Sequence, residues 1–169
     1  MNTTTKIVIA IVIFSAVLVG GAAYFLAGSS SSKPVLEKTT GAKLETPELS
    51  FDFKDIAFGG GIVTHAFPIK NLGDKDLQIA NMATSCMCTK VFLKTQSSEG
   101  PRAGMKGMSK QNSWTGTLKP GEVGEIVAEF DPAFHGPSGV GPVDRVVSFE
   151  TNDPDKPYIE LSFKGIVKK

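Results

Sequence analysis

The sequence predicts an all-β sandwich of two packed antiparallel sheets, carried behind a single apolar N-terminal helix. Three observations predict it. Residues 7–27 hold no charged side chain. From Leu49 onward, apolar and polar residues alternate with period two, the spacing of half-buried strands. That alternation is punctuated by Gly, at 18 residues, and Pro, at 10, which is the turn-rich composition of an all-β chain.

The helix comes first. "KIVIAIVIFSAVLVGGAAYFLAG" runs from Lys6 to Gly28. At a rise of about 1.5 Å per residue, roughly 20 helical residues cross a hydrocarbon core about 30 Å thick. A secretory signal has a shorter apolar core, roughly 7–15 residues. Residues 7–27 are therefore expected to be an uncleaved membrane anchor, with a cleaved signal peptide as the alternative. Lys6 and the terminal amine precede the span, and Lys33 is the first basic residue after it. The positive-inside bias then puts residues 1–6 in the cytoplasm and the rest of the chain on the extracytoplasmic side of the cell membrane. Residues 28–48, rich in Ser, Thr, Lys and Pro, read as a flexible linker.

The folded domain is expected over residues 49–169. "VTHAFPIKN" puts Val63, His65, Phe67 and Ile69 in phase. "EIVAEF" sets Ile126, Ala128 and Phe130 on one face, and "YIELSF" does the same with Ile159, Leu161 and Phe163. Turn signals separate these runs at 71–76, 119–122, 131–142 and 152–157. About seven strands fit this length, the pattern of an immunoglobulin-like sandwich. Pro68, which lacks an N–H, marks an edge or a bulge. Residues 95–116, "TQSSEGPRAGMKGMSKQNSWTG", read as a long loop, either functional or solvated.

The same residues carry a family resemblance. Phe58-Gly59, His65 through Gly73, Ser85-Cys86-Met87-Cys88-Thr89, Pro120-Gly121-Glu122, Phe130-Asp131-Pro132 and Thr151-Asn152-Asp153-Pro154 occur in this order. In this the chain resembles the bacterial family called domain of unknown function 1573. That resemblance implies an immunoglobulin-like fold related to the ASH and major-sperm-protein domains. It implies no activity. Where the family pattern has Gly between the two cysteines, this chain has Met87, which makes positive φ costly there.

Cys86 and Cys88 are the two cysteines of the chain. Outside the cytoplasm, thiols pair or bind metal. If the strand ran through Met87, both would face one side with Cα atoms about 6.6–6.8 Å apart, at the upper edge of the disulfide range. Four readings stay open: buried small hydrophobes, a local or intermolecular disulfide, a soft-metal site for Cu(I), and an exchange-active pair. Met82, Met87, Met105, Met108 and His65 are the further donors available to a copper site. His65, in phase with Val63 and Phe67, reads as a hydrogen-bonded strand residue.

Other chemistry is thin. No G-x-S-x-G, H-E-x-x-H or phosphate loop is present. No catalytic residue and no organic cofactor is expected, and the chain is not expected to be an enzyme. With 18 Lys+Arg against 17 Asp+Glu, it has no electrostatic footprint for nucleic acid. The expected role is a membrane-tethered binding or assembly module. Its partners are the membrane, through residues 7–27, and a protein that adds a strand to an exposed sheet edge. A metal or redox carrier centred on Cys86 and Cys88 is the alternative.

Overall fold

A computed structural model describes residues 2–27, 33–109 and 113–169. The chain divides into two compact units, residues 1–32 and 33–169. In the first, helix α1 spans Thr3–Ala27. From Ile7 onward its described side chains are apolar on every side apart from Ser15, with Ile7, Val8, Ile9, Ile11, Val12, Ile13 and Phe14 all exposed. A helix that is apolar all round belongs in a buried or lipid setting. It is the one helix among the described residues long and apolar enough to cross a membrane.

The second unit is a two-sheet sandwich. Its strands are β1 (Leu44–Glu45), β2 (Ser50–Ala57), β3 (Val63–Asn71), β4 (Leu77–Thr84), β5 (Thr89–Thr95), β6 (Thr115–Leu118), β7 (Val123–Phe130), β8 (Gly141–Thr151) and β9 (Tyr158–Lys168). One sheet has the order β1-β3-β7-β5 and the other β2-β9-β8-β4-β6. The expected faces hold. Phe67, Ile69, Ile126, Ala128, Phe130, Leu161 and Phe163 are buried between the sheets. Phe163 sits 5.5 Å from the Phe53 ring and 5.6 Å from that of Phe130, between centroids.

Several expectations need correction. Among the described residues there are nine strands rather than seven, because β1 and β6 are too short to show a period. The sandwich is not wholly antiparallel, since β2 runs parallel to β9. The two come from opposite ends of the domain, so the rest of the sandwich is their connection. The linker read over 28–48 lies outside the described residues at 28–32, and its later part belongs to the domain. Ala42 and Leu44 are buried in the core, and the Leu44 N–H donates to the Asp153 carboxylate at 2.8 Å. Nor is the loop read over 95–116 simply solvated where it is described. It folds back along β5 through Gly100 N–H to Leu93 C=O and a reciprocal Val91–Ala103 pair. Residues 110–112 of that loop lie outside the described part.

Most of the sequence motifs turn out to be joinery. Asn71 donates to the carbonyls of Lys75 and Leu118 while its Oδ1 accepts from Gly73 N–H. A Cβ on Gly73 would collide with the Gly41 carbonyl oxygen. Asn152 accepts from Gln78 N–H and donates to the Asp76 carbonyl. Lys119 N–H donates to the Glu122 carboxylate across the tight turn at Gly121, where φ is 78°. Among the described residues no buried side-chain N or O lacks a partner. Buried polar groups that are fully paired read as structure rather than as an open site.

Candidate thiol–imidazole site

The Ser85–Cys88 segment is different: Cys88 belongs to the core and Cys86 packs against it, yet their sulfurs also meet a guanidinium and an imidazole. It is not strand. It is the turn by which the chain leaves β4 in one sheet and enters β5 in the other. Thr89 N–H donates to the Cys86 carbonyl at 3.2 Å and closes the turn. The Thr84 hydroxyl donates to the Cys86 carbonyl at 2.8 Å and holds it from below. The expected flat CxC strand is therefore corrected to a curled one. Met87 is exposed and does not take positive φ, so the turn does not require glycine at this position.

A second crossover meets the first. The chain leaves β7 at Phe130, passes through a short 3-10 turn at Gly136–Gly139, and enters β8 in the opposite sheet. Strand pairing forces the two crossovers together. Thr89 faces Phe130 across β5 and β7, and Thr84 faces Val147 across β4 and β8. Asp131 N–H donates to the Cys88 carbonyl at 2.9 Å, and Ser85 N–H to that of Val146 at 2.9 Å.

This junction gathers four side chains. His135 Nε2 lies 3.3 Å from Cys86 Sγ. The Cys88 N–H donates to Cys86 Sγ at 3.5 Å. Arg145, from β8, donates through Nε to Cys88 Sγ at 3.3 Å. Both sulfurs and a ring nitrogen of His135 lie within 4.8 Å of one another. The three grade from a buried Cys88 through a half-buried Cys86 to an exposed His135. Both cysteines are free thiols.

The two thiols are unequal. For Cys86, burial alone would raise the pKa. Hydrogen bonds from the Cys88 thiol and His135, the Cys88 N–H and the field of Arg145 outweigh it and bring the pKa down to about 7. For Cys88, burial and the hydrogen bond it gives to Cys86 push the pKa up, against the opposing Arg145. Arg145 stays a firm cation. Its partial burial is outweighed by its bond to Cys88 and the fields of both sulfurs.

Two cysteines and an imidazole in this arrangement can grip a soft cation or exchange with a disulfide. The donors expected to join them go elsewhere. His65 stacks on Phe51 at 3.6 Å between ring centroids and meets the Glu48 carboxylate at 3.1 Å, the hydrogen-bonded strand role expected of it. Met82 and Met105 line a different cavity, with Asn81 and Tyr158, and Met108 is exposed. Sequence reasoning missed His135 and Arg145. The signal within reach for His135 was its place just after Phe130-Asp131-Pro132.

Residues 44–106 match the family model described as "Protein of unknown function (DUF1573)". The family resemblance read from the motifs is thus borne out over the first half of the domain. No curated protein matches the chain. Among solved structures, the chain is similar to a protein of unknown function from Porphyromonas gingivalis W83, at 16% identity and a TM-score of 0.56. That match covers 79% of this chain and 50% of the other, so this chain spans half the length of that protein. It is also similar to the ASH/PapD-like domain 7 of human CEP192, at 15% identity, covering 83% and 96% of the two chains with a TM-score of 0.47. The domain is an immunoglobulin-like sandwich whose residues 44–106 are similar to that family.

Proposed function

We propose that this chain is a single-pass, membrane-tethered, non-catalytic module. On this reading its domain faces the extracytoplasmic side and holds Cu(I) at Cys86, Cys88 and His135. The carrying observation is the convergence of two sulfurs and an imidazole nitrogen within 4.8 Å at a junction of two crossovers. Soft thiolates favour Cu(I). A structural Zn(II) site takes four ligands in a tetrahedron, and this junction offers three. A ligand must shed its proton as it binds, which the lowered Cys86 pKa eases and the raised Cys88 pKa opposes.

Strand addition by a protein partner draws less support. The outer edge of β5 is already paired to residues 99–103. The edge strand β2 is broken by a bulge between Asp52 and Asp55, with Lys54 at φ 60°, and the edge strand β6 has four residues. Short, bulged or covered edges resist new strands. The protein partner that fits instead is one that gives or accepts the ion. Exposed Met87 and Phe134, each next to a ligand in sequence, would meet it first.

The test uses the full chain, purified in detergent, reduced and free of chelator. It should withdraw Cu(I) from a chromophoric Cu(I) chelator up to about one equivalent, as two thiolates and an imidazole gripping one ion require. The Cys86→Ser, Cys88→Ser double variant should lose that uptake while keeping its β circular dichroism. A wild-type chain that takes no Cu(I) would reject the carrier role. The location has its own check, motivated by Lys6 ahead of an uncharged span. Protease added to cells with permeabilised outer layers should digest the domain, and protection until lysis would reverse the orientation.

A further inference from the structure

The side chain that sequence reasoning passed over most completely is Arg145, and it stands in an unusual place. A permanent cation donates to a sulfur that the proposed site would use as a ligand. We propose that Arg145 makes this site select a monovalent soft cation over a divalent one, an inference that rests on the metal reading above.

Three observations fix the guanidinium in place. Nε donates to Cys88 Sγ at 3.3 Å, and Nη1 donates to the Asp144 carbonyl at 2.8 Å. The guanidinium carbon lies 5.9 Å from the centre of the Phe130 ring, within cation–π range. Its backbone pairs with Phe163 of β9, and the next residue, Val146, is held from the other side by Ser85. Arginine does not lose its proton in proteins, so the charge cannot be shed when a metal arrives.

The charge count then discriminates. Cu(I) with two thiolates and a neutral imidazole carries −1, and Arg145 brings the half-buried cluster to zero. Zn(II) with the same ligands is already neutral, and Arg145 leaves the cluster at +1. An uncompensated charge away from bulk water is costly, and interactions there are stronger than in water. The ion's own charge has to be counted in any such site. The same cation that completes the monovalent cluster therefore penalises the divalent one. A lysine would supply the charge but not the fixed planar fork.

Arg145→Gln removes the charge while keeping a planar hydrogen-bond donor on that strand position and adding no soft ligand. In the full chain in detergent, Cu(I) and Zn(II) affinities are each measured against a chromophoric competitor, for wild type, Arg145→Gln and Arg145→Lys. The expected result for Arg145→Gln is a fall in the Cu(I)-to-Zn(II) affinity ratio of about tenfold or more, the scale of one nearby charge in a partly screened site. Arg145→Lys should recover part of the ratio. Circular dichroism of each variant confirms that the sandwich persists. An unchanged ratio, or an equal loss for both ions, would overturn the selectivity role and leave the copper reading intact. Absence of Cu(I) uptake by the wild-type chain overturns the copper reading and this inference with it.

Discussion

Replacing Phe163 by Ala should lower the stability of the domain by about 3–5 kcal/mol, the cost of emptying a large core site that cannot collapse. Phe163 is 1% exposed. It stands between the two sheets, with Phe53 edge-on at 5.5 Å and Phe130 at 5.6 Å. Truncation removes both ring contacts at once, and the neighbouring rings are held by their own strands. Urea unfolding of the full chain in mild detergent, followed by fluorescence of the lone Trp114, measures the loss. Lys164→Ala is the control. Lys164 is exposed on the other side of β9, and its replacement should cost under about 0.5 kcal/mol. Equal costs at both positions would contradict the observed register.

The register of β9 was legible because alternation over "YIELSF" has one consistent phase. The same holds for β3 and β7. What escaped was anything without a period. β1 has two residues, so a stretch rich in Ser, Thr and Lys hid the buried Leu44. The parallel pairing of β2 with β9 is a fact of topology, and alternation looks the same in either direction. The cysteine pair shows the limit most clearly. Its chemistry was readable from residue type, but its partners were not. His135 lies 49 positions from Cys86 and Arg145 lies 57 from Cys88. They arrive only because two sheet-to-sheet crossovers stack at one end of the sandwich. His65, in phase within a strand, was easier to see, and the fold spends it on a stack with Phe51.

That stacking of crossovers also makes the two thiols chemically distinct, and the difference is open to direct measurement. In the reduced, metal-free chain, iodoacetamide should modify Cys86 before Cys88 by about tenfold or more, because the thiolate is the nucleophile. Cys86 has a pKa near 7 in spite of its burial, through the hydrogen bonds from Cys88 and His135. Burial and the bond given to Cys86 hold Cys88 above the usual thiol range. The sign follows from protonation. Below about pH 7 Cys86 carries its proton and the rate falls as pH drops. Above it the rate levels off, while Cys88 keeps gaining reactivity into the alkaline range. Peptide mass spectrometry across a pH series reads both rates. His135→Ala should move the Cys86 midpoint upward, because one of the bonds that favours the thiolate is gone. Equal rates for the two cysteines, or a Cys86 midpoint at the ordinary thiol value of about 8.5, would show that the junction does not activate Cys86.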